Sequence, residues 1–92
     1  MTQTPFVIPD TDVADLSPEE IRQEAQELRT VLAVTEADLA ARKAWAFAND
    51  SEDSDEYSRW YAGCLSFRAR LVRRYSLIRP LEKELNRNER TD

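Results

Sequence analysis

The sequence predicts an all-α fold, an antiparallel hairpin of two long helices. Positions 19–79 contain no proline, and the whole chain of 92 residues contains one glycine. Both residue types disfavour helix interiors, so their scarcity favours long helices. Apolar residues also recur at three- and four-residue steps in two segments, which is the spacing of an amphipathic helix. A short acidic stretch separates the two segments and predicts the connection between the helices.

Residues 1–16 are predicted to form an extended N-terminal arm. Pro5 and Pro9 bracket an apolar run, and proline favours extended backbone at its own position and at the preceding one. Three interpretations remain open for this arm: a flexible terminus, a strip that packs across its own helices, or an arm that grips another chain. Residues 17–92 are predicted to form the single helical-hairpin domain.

The first helix is predicted over residues 18–48. Ser17, Pro18 and Glu20 have the order of a capping box, with serine at the N-cap, proline at the first helical position and glutamate at the third. One face of this helix carries the apolar stripe that we expect to form the core: Ile21, Ala25, Leu28, Leu32, Thr35, Leu39 and Ala46.

The first helix also carries a row of alanines on the side opposite that stripe. A helix that is apolar on two sides usually has neighbours on two sides, so the row predicts a self-association surface. A homodimeric four-helix bundle, with helices paired as in a coiled coil, would then supply the core that a lone hairpin lacks. The alternative is that alanine is simply a good helix former at exposed positions. The candidates for self-association are Ala33, Ala37, Ala40, Ala41, Ala44 and Trp45.

The second helix is predicted over about residues 54–88, with Asp53 as its cap. Pro80 should kink it near Ser76 or start a separate short helix, because proline lacks the amide proton that the helix needs. The acidic connection does not match a calcium loop, since Asp55 stands where that loop needs glycine. The apolar stripe of this helix comprises Tyr57, Trp60, Cys64, Phe67, Leu71, Tyr75, Ile78 and Leu85.

Composition argues against several functional classes. The chain has no histidine and one cysteine, so we predict no metal site, no cofactor, no catalytic site and no enzymatic activity. Cys64 is interpreted as a buried core thiol. No apolar run approaches the roughly 20 residues that span a bilayer, and no signal peptide is recognisable, so the prediction is a cytoplasmic protein with no membrane partner.

The net charge of −5 conceals a split between the two halves of the chain. Residues 1–56 carry 14 acidic and 4 basic residues, whereas residues 57–92 carry 4 acidic and 9 basic residues. An antiparallel hairpin would place the acidic half beside the basic half. The arginines on the shoulders of the second helix, Arg68, Arg74 and Arg79, are expected to meet acids of the first helix, whereas Arg59, Arg70 and Arg73 lie on its outer side.

Aromatic and arginine side chains supply the candidate partner-binding surface, because tryptophan, tyrosine and arginine dominate protein-binding hot spots. Five aromatic residues bracket the connection within 17 residues; they could equally form a closed, well-packed end. We predict a non-catalytic protein-interaction module, such as an adaptor, an assembly factor or an inhibitor, and a phage or prophage accessory protein would suit its small size. The alternative is a nucleic-acid-binding helical dimer that uses the arginine face. The candidate partner-binding residues are Trp45, Phe47, Tyr57, Trp60, Tyr61, Arg59, Arg70 and Arg73.

Overall fold

The protein is a helical hairpin in a computed structural model that describes residues 6–90. A 3₁₀ turn, Val13–Asp15, precedes two α-helices, α1 (Pro18–Ala48) and α2 (Asp55–Arg90), and the described residues contain no strand. Arg22 near the start of α1 pairs with Glu89 near the end of α2. Closer to the connection, Arg68 of α2 pairs with Glu36 of α1. These contacts confirm the predicted antiparallel pairing of two helices.

α1 begins where the sequence predicts. The Ser17 hydroxyl accepts a hydrogen bond from the Glu20 N–H at 3.2 Å, and the Glu20 carboxylate accepts one from the Ser17 N–H at 2.9 Å. Together they satisfy two backbone donors that the first helical turn leaves unpaired. Two hydrogen bonds lower the pKa of Glu20: first the one from the Ser17 N–H, and second the one between the Ser17 and Glu20 side chains. The capping box therefore fixes the start of α1 locally.

The connection ends on a different cap from the predicted one. The Ser54 hydroxyl accepts a hydrogen bond from the Tyr57 N–H at 3.1 Å, and α2 begins at Asp55. Asp53 was the predicted cap, and that prediction is wrong by one residue. Both candidates have short polar side chains, so the local sequence does not separate them. Asp55 instead occupies the first helical turn, where the helix dipole favours negative charge.

Pro80 lies inside α2 without ending it. The predicted alternative of a separate short helix from Pro80 is wrong, because α2 is one helix from Asp55 to Arg90. The Ser76 carbonyl loses its usual intrahelical donor there, but both Ser76 and Pro80 are exposed, so water can bond to it. Ile78 and Leu81, on either side of the proline, pack in the core and hold the helix against α1. The predicted kink stays a prediction.

The core lies towards the end of the hairpin that is remote from the connection. Leu28, Leu71 and Ile78 are fully buried there, and replacing one such side chain by alanine costs about 2–5 kcal/mol. Nearer the connection the α2 stripe is less covered, since Trp60, Cys64 and Phe67 are only partly buried. The buried cluster comprises Ile21, Ala25, Leu28, Leu71 and Ile78.

The described part of the N-terminal arm packs against this core. Phe6, Ile8, Val13 and Leu16 are partly buried against the cluster that both helices build. Arg74 of α2 donates a hydrogen bond to the Thr11 carbonyl at 2.6 Å. Three interpretations of the arm were open, and its described residues match the second one, a strip that packs across the protein's own helices. Residues 1–5 lie outside the described residues.

Buried ion pairs tie the helices together. The Arg74 guanidinium donates two hydrogen bonds to the Glu24 carboxylate, at 2.6 and 2.9 Å, and both side chains are buried. This carboxylate raises the pKa of Arg74. Glu82 is also buried and accepts from Arg29 at 2.7 Å and from Arg79 at 3.0 Å. The shoulder arginines Arg68 and Arg74 thus meet acids of α1 as expected, whereas Arg79 meets an acid of α2.

Candidate functional site

An open groove runs between α1 and α2 near the connection. It consists of two adjoining depressions of about 460 and 570 Å³, which share Asp38 and Trp60. We call it the loop-end groove. Its lining combines aromatic, small and charged side chains from both helices: Thr35, Asp38, Ala41, Arg42, Trp45, Arg59, Trp60, Gly63, Cys64 and Phe67.

The loop-end groove continues the same face of the hairpin that the arm covers. On α1, Arg42 lies 18 residues after Glu24, which is five full helical turns. On α2, Phe67 lies seven residues before Arg74, or about two turns. Glu24 and Arg74 mark the arm-covered part, because Arg74 bonds to both Glu24 and the arm. Helical periodicity therefore places the groove on that face, beyond the described arm.

Arg42 links the two tryptophans across the groove. Its guanidinium carbon lies 4.7 Å from the centre of the Trp45 ring and 5.9 Å from that of Trp60. Both distances fall within the range of cation–π attraction. The Arg42 Nε is buried and has no hydrogen-bond partner among the described residues. Trp45 of α1 and Trp60 of α2 therefore line one surface, held together by a cation between them.

The five predicted aromatic residues separate into three positions. Tyr57 is buried and packs on Trp60 and Tyr61, with ring centres 6.1 and 5.7 Å apart respectively, so it closes the end of the hairpin. Trp45 and Trp60 line the groove. Phe47 is 56% exposed and does not line it. The structure thus brings the two tryptophans together and leaves Phe47 apart.

Gly63 and Cys64 form part of the α2 wall of the groove. A Cβ atom added at Gly63 would meet no atom within 4 Å, so the surface beside this glycine is open. Cys64, predicted to be a buried core thiol, is only partly buried, because the groove leaves one side of it uncovered. Burial first, and the Asp38 charge second, raise the pKa of the Cys64 thiol, which keeps it protonated and weakly nucleophilic at neutral pH.

The outer arginines of α2 lie differently from the shoulder arginines. Arg59, Arg70 and Arg73 are exposed, and none of them forms an ion pair within residues 6–90. Arg59 lines the groove, and the guanidinium carbon of Arg70 lies 5.7 Å from the centre of the Phe67 ring. Arg73 does not line the groove. Of the three predicted arginines, Arg59 therefore lines the groove, Arg70 lies next to the lining residue Phe67, and Arg73 lies away from it.

The predicted self-association surface is solvent-exposed in the hairpin. Every alanine in it is exposed, and Trp45, on its edge, is 49% exposed. Val34 on the same side is also exposed. The face consists of Ala33, Ala37, Ala40, Ala41, Ala44 and Trp45.

Sequence reasoning missed several residues that build the groove. Arg42 was passed over, although its position three residues before Trp45 is the spacing at which helical side chains meet. Asp38 and Gly63, which also line the groove, were not among the predicted site residues. The approach of Arg42 to Trp60 depends on the alignment of the two helices, which no local pattern gives.

Over residues 6–90, no three His, Cys, Asp or Glu side chains are grouped so that they could hold a metal ion. Neither α1 nor α2 contains, in its described residues, a stretch long and apolar enough to cross a membrane. Comparison of the chain with protein-family models, curated proteins and solved structures found no match.

Proposed function

We propose that this protein is a non-catalytic interaction module that acts by docking a segment of a partner protein in the loop-end groove. The observation that carries the proposal is the uncovered part of the hairpin face. The arm packs against this face at the core end, whereas near the connection Trp45 and Trp60 line an open groove. An adaptor, an assembly factor or an inhibitor could work in this way by occupying a partner's surface.

The residues of the groove are those that bind proteins well. Tryptophan and arginine are enriched at hot spots, where they bury large areas in well-packed pockets. The groove provides two tryptophans with a guanidinium between them, and its rim adds Arg59. A docked segment would cover the aromatic surface and exclude water from these charges, which strengthens their interactions.

The nucleic-acid alternative has less support. Phosphate binding needs a basic footprint large enough to release counterions, but the exposed acids Asp50, Asp53, Asp55 and Glu56 lie at the same end of the hairpin as Arg59. A nucleic-acid backbone extends across this end of the hairpin and would meet these acids, whereas a short segment in the groove would lie beside Arg59. Binding of a labelled DNA or RNA duplex, with an affinity that falls steeply as salt is raised, would favour this alternative over the proposal.

A substitution that fills the groove tests the docking function. Gly63→Leu places a large side chain where a Cβ meets no other atom, so we expect the hairpin to stay folded while the groove is blocked. Ser66→Leu is the matched control, because Ser66 is exposed on α2 and does not line the groove. Affinity capture from a lysate of the encoding organism should retain the same protein with wild type and Ser66→Leu. Gly63→Leu should lose it.

Equal capture by all three proteins would show that the interaction does not use the groove. Circular dichroism of each variant would separate a blocked groove from a lost fold. Cys64 is a free thiol, which fits a reducing compartment, and we propose the cytoplasm as the site of action.

We propose in addition that the part of the alanine face outside the groove joins two hairpins into a four-helix bundle; this part consists of Ala33, Ala37, Ala40 and Ala44. Small side chains allow helices to approach closely, and this face is exposed in the single chain. Light scattering across a concentration range should give a dimer for wild type and a monomer for Ala37→Glu/Ala44→Glu. The control Ala62→Glu/Ala69→Glu makes the same change at the same spacing on exposed positions of α2 and should stay dimeric. A wild-type monomer at all concentrations would refute this assembly.

A further inference from the structure

We infer that the segment docked in the loop-end groove is an amphipathic α-helix that carries acidic residues on the side facing α2. This inference rests on the proposed function and specifies the chemistry of the partner. It depends on three features of the site: the lack of backbone hydrogen-bonding groups in the groove, the open surface at Gly63, and the unpaired arginines on the α2 side.

The walls of the groove favour a helix over an extended peptide. Both walls are α-helical, so their backbone N–H and C=O groups are already paired and offer no edge to a strand. An extended peptide against Trp60, Cys64 and Phe67 would leave its own backbone groups without partners, which is costly. A helix pairs these groups internally and presents only side chains.

The arm shows what an extended segment needs on this face. Its described part includes Pro9, which has no N–H to satisfy. Arg74 donates to the Thr11 carbonyl, and beyond it the arm leaves the extended conformation for the 3₁₀ turn Val13–Asp15, which Asp12 caps. The groove lining offers polar side chains only at separate positions, such as Thr35, Arg42 and Arg59, and not a continuous series of partners for a peptide backbone. A segment without such compensation would dock here as a helix.

Gly63 marks the point where a docked helix approaches most closely. A glycine inside a helix destabilises it by about 0.5–1 kcal/mol relative to alanine. No feature of the single hairpin requires it, because Gly63 has no positive φ and no atom within 4 Å of its potential Cβ. An external helix crossing α2 at this residue accounts for the missing side chain, since glycine allows two backbones to approach closely.

Unpaired arginines on the α2 side select the charge of the partner. Arg59 lines the groove on α2 and Arg70 lies beside Phe67, and neither forms an ion pair within the described residues. Asp38, the acid of the groove lining, belongs to α1, so the positive charge lies on the α2 side. The arm already combines apolar anchors with acids on this face, since Asp10 and Asp12 lie close enough to Arg74 to contribute to its raised pKa. An apolar helix flanked by carboxylates would repeat this chemistry in the groove.

Two synthetic peptides without tryptophan would test the inference. Each has about 18 residues, long enough to form a helix, with leucines along one face; one carries glutamates beside them and the other lysines at the same positions. The two tryptophans of the protein, Trp45 and Trp60, both line the groove. Their fluorescence therefore reports binding directly. We expect the glutamate peptide to bind about tenfold more tightly, with a preference that shrinks at ~0.5 M salt.

Charge reversal on the protein should exchange the two peptides. Arg59→Glu/Arg70→Glu should bind the lysine peptide more tightly than the glutamate peptide. The control Arg73→Glu/Arg87→Glu changes exposed arginines of α2 that do not line the groove and should keep the wild-type preference. Among proteins that keep all arginines, wild type should bind the glutamate peptide most tightly, Gly63→Ala less tightly and Gly63→Leu least tightly. A larger side chain at this position keeps the peptide helix further from α2.

Several outcomes would overturn the inference. Equal binding of the two peptides to wild-type protein would refute acidic selection, whether or not the charge-reversal variant folds. A glutamate peptide with two internal prolines that binds as tightly as the original would refute the helix. If neither peptide binds but wild type still captures a protein from lysate that Gly63→Leu loses, this inference would be overturned while the docking function would still be supported. Failure of the peptides and of capture would overturn both.

Discussion

Replacing Glu24 by alanine should destabilise the protein strongly. The Arg74 side chain is only 7% exposed and donates two hydrogen bonds to the Glu24 carboxylate. After the substitution, the Thr11 carbonyl is its remaining partner in the structure. A buried charge that loses its counter-charge costs about 3–5 kcal/mol. Since a chain of this length is stable by about 5–14 kcal/mol, the loss is a large fraction of the whole.

Urea denaturation followed by circular dichroism would measure this loss. In thermal unfolding, the same change should lower the midpoint by at least about 12 °C, because a domain of this size shifts by about 4–8 °C per kcal/mol. Glu27→Ala is the matched control, since Glu27 is exposed on the same helix and forms no ion pair among the described residues. We expect it to stay within about 0.5 kcal/mol of wild type.

A double substitution shows how much of the lost free energy of unfolding comes from the missing ion pair and how much comes from leaving the Arg74 charge buried without a partner. Glu24→Leu/Arg74→Met replaces both charges by apolar side chains, and such replacements are often neutral or stabilising. We expect it to lose less than half of what Glu24→Ala loses. The reasoning would be refuted if Glu24→Ala cost under about 1 kcal/mol, or if the double variant were the less stable of the two.

Three further predictions address the core, pH and the helix interior. Leu71→Ala should lower the free energy of unfolding by about 2–5 kcal/mol in urea titrations, because Leu71 is fully buried; a loss under ~1 kcal/mol would contradict the assigned core. The hydrogen bond from Arg29 has the largest effect on Glu82 and lowers its pKa in the folded protein; burial opposes this effect, and Arg79 adds to the lowering. The stability that Glu82 contributes is therefore fully present above its ordinary pKa of 4.5 and is lost as pH falls through the folded value. Glu82→Gln should flatten this acid limb in pH-dependent melting, whereas the exposed control Glu84→Gln should not. Gly63→Ala should raise the free energy of unfolding by about 0.5–1 kcal/mol; a decrease would show that the hairpin itself needs the glycine.

Local chemistry explains why the sequence was a good guide to the helices. The start of α1 depends on Ser17 and Glu20, which are neighbours along the chain and bond to each other. The end of α1 at Ala48 also matches the prediction. Asp53 and Ser54 are neighbours that can both cap a helix, so the predicted cap of α2 was one residue away from the observed one. At Pro80 the local pattern left a kink and a separate short helix as alternatives; the second does not occur, because the burial of Ile78 against α1 helps α2 continue past a residue that disfavours helix.

The candidate site was predictable only in part. Aromatic and arginine composition indicated the loop end and included Trp45, Trp60 and Arg59. It also included Phe47, which does not line the groove. It missed Arg42, because the contact of Arg42 with Trp60 joins residues from two helices.

Caps, periodicity and charge are properties of neighbouring residues, so they are sufficient to predict the two helices and the division into an acidic and a basic half. The short connection between the helices then implies their antiparallel order. Tertiary structure alone decided that the arm covers one part of a face and leaves the groove open, and that Arg74 is buried between Glu24 and Thr11. These features depend on how distant segments share space, and the free energy of burial is set only when they meet.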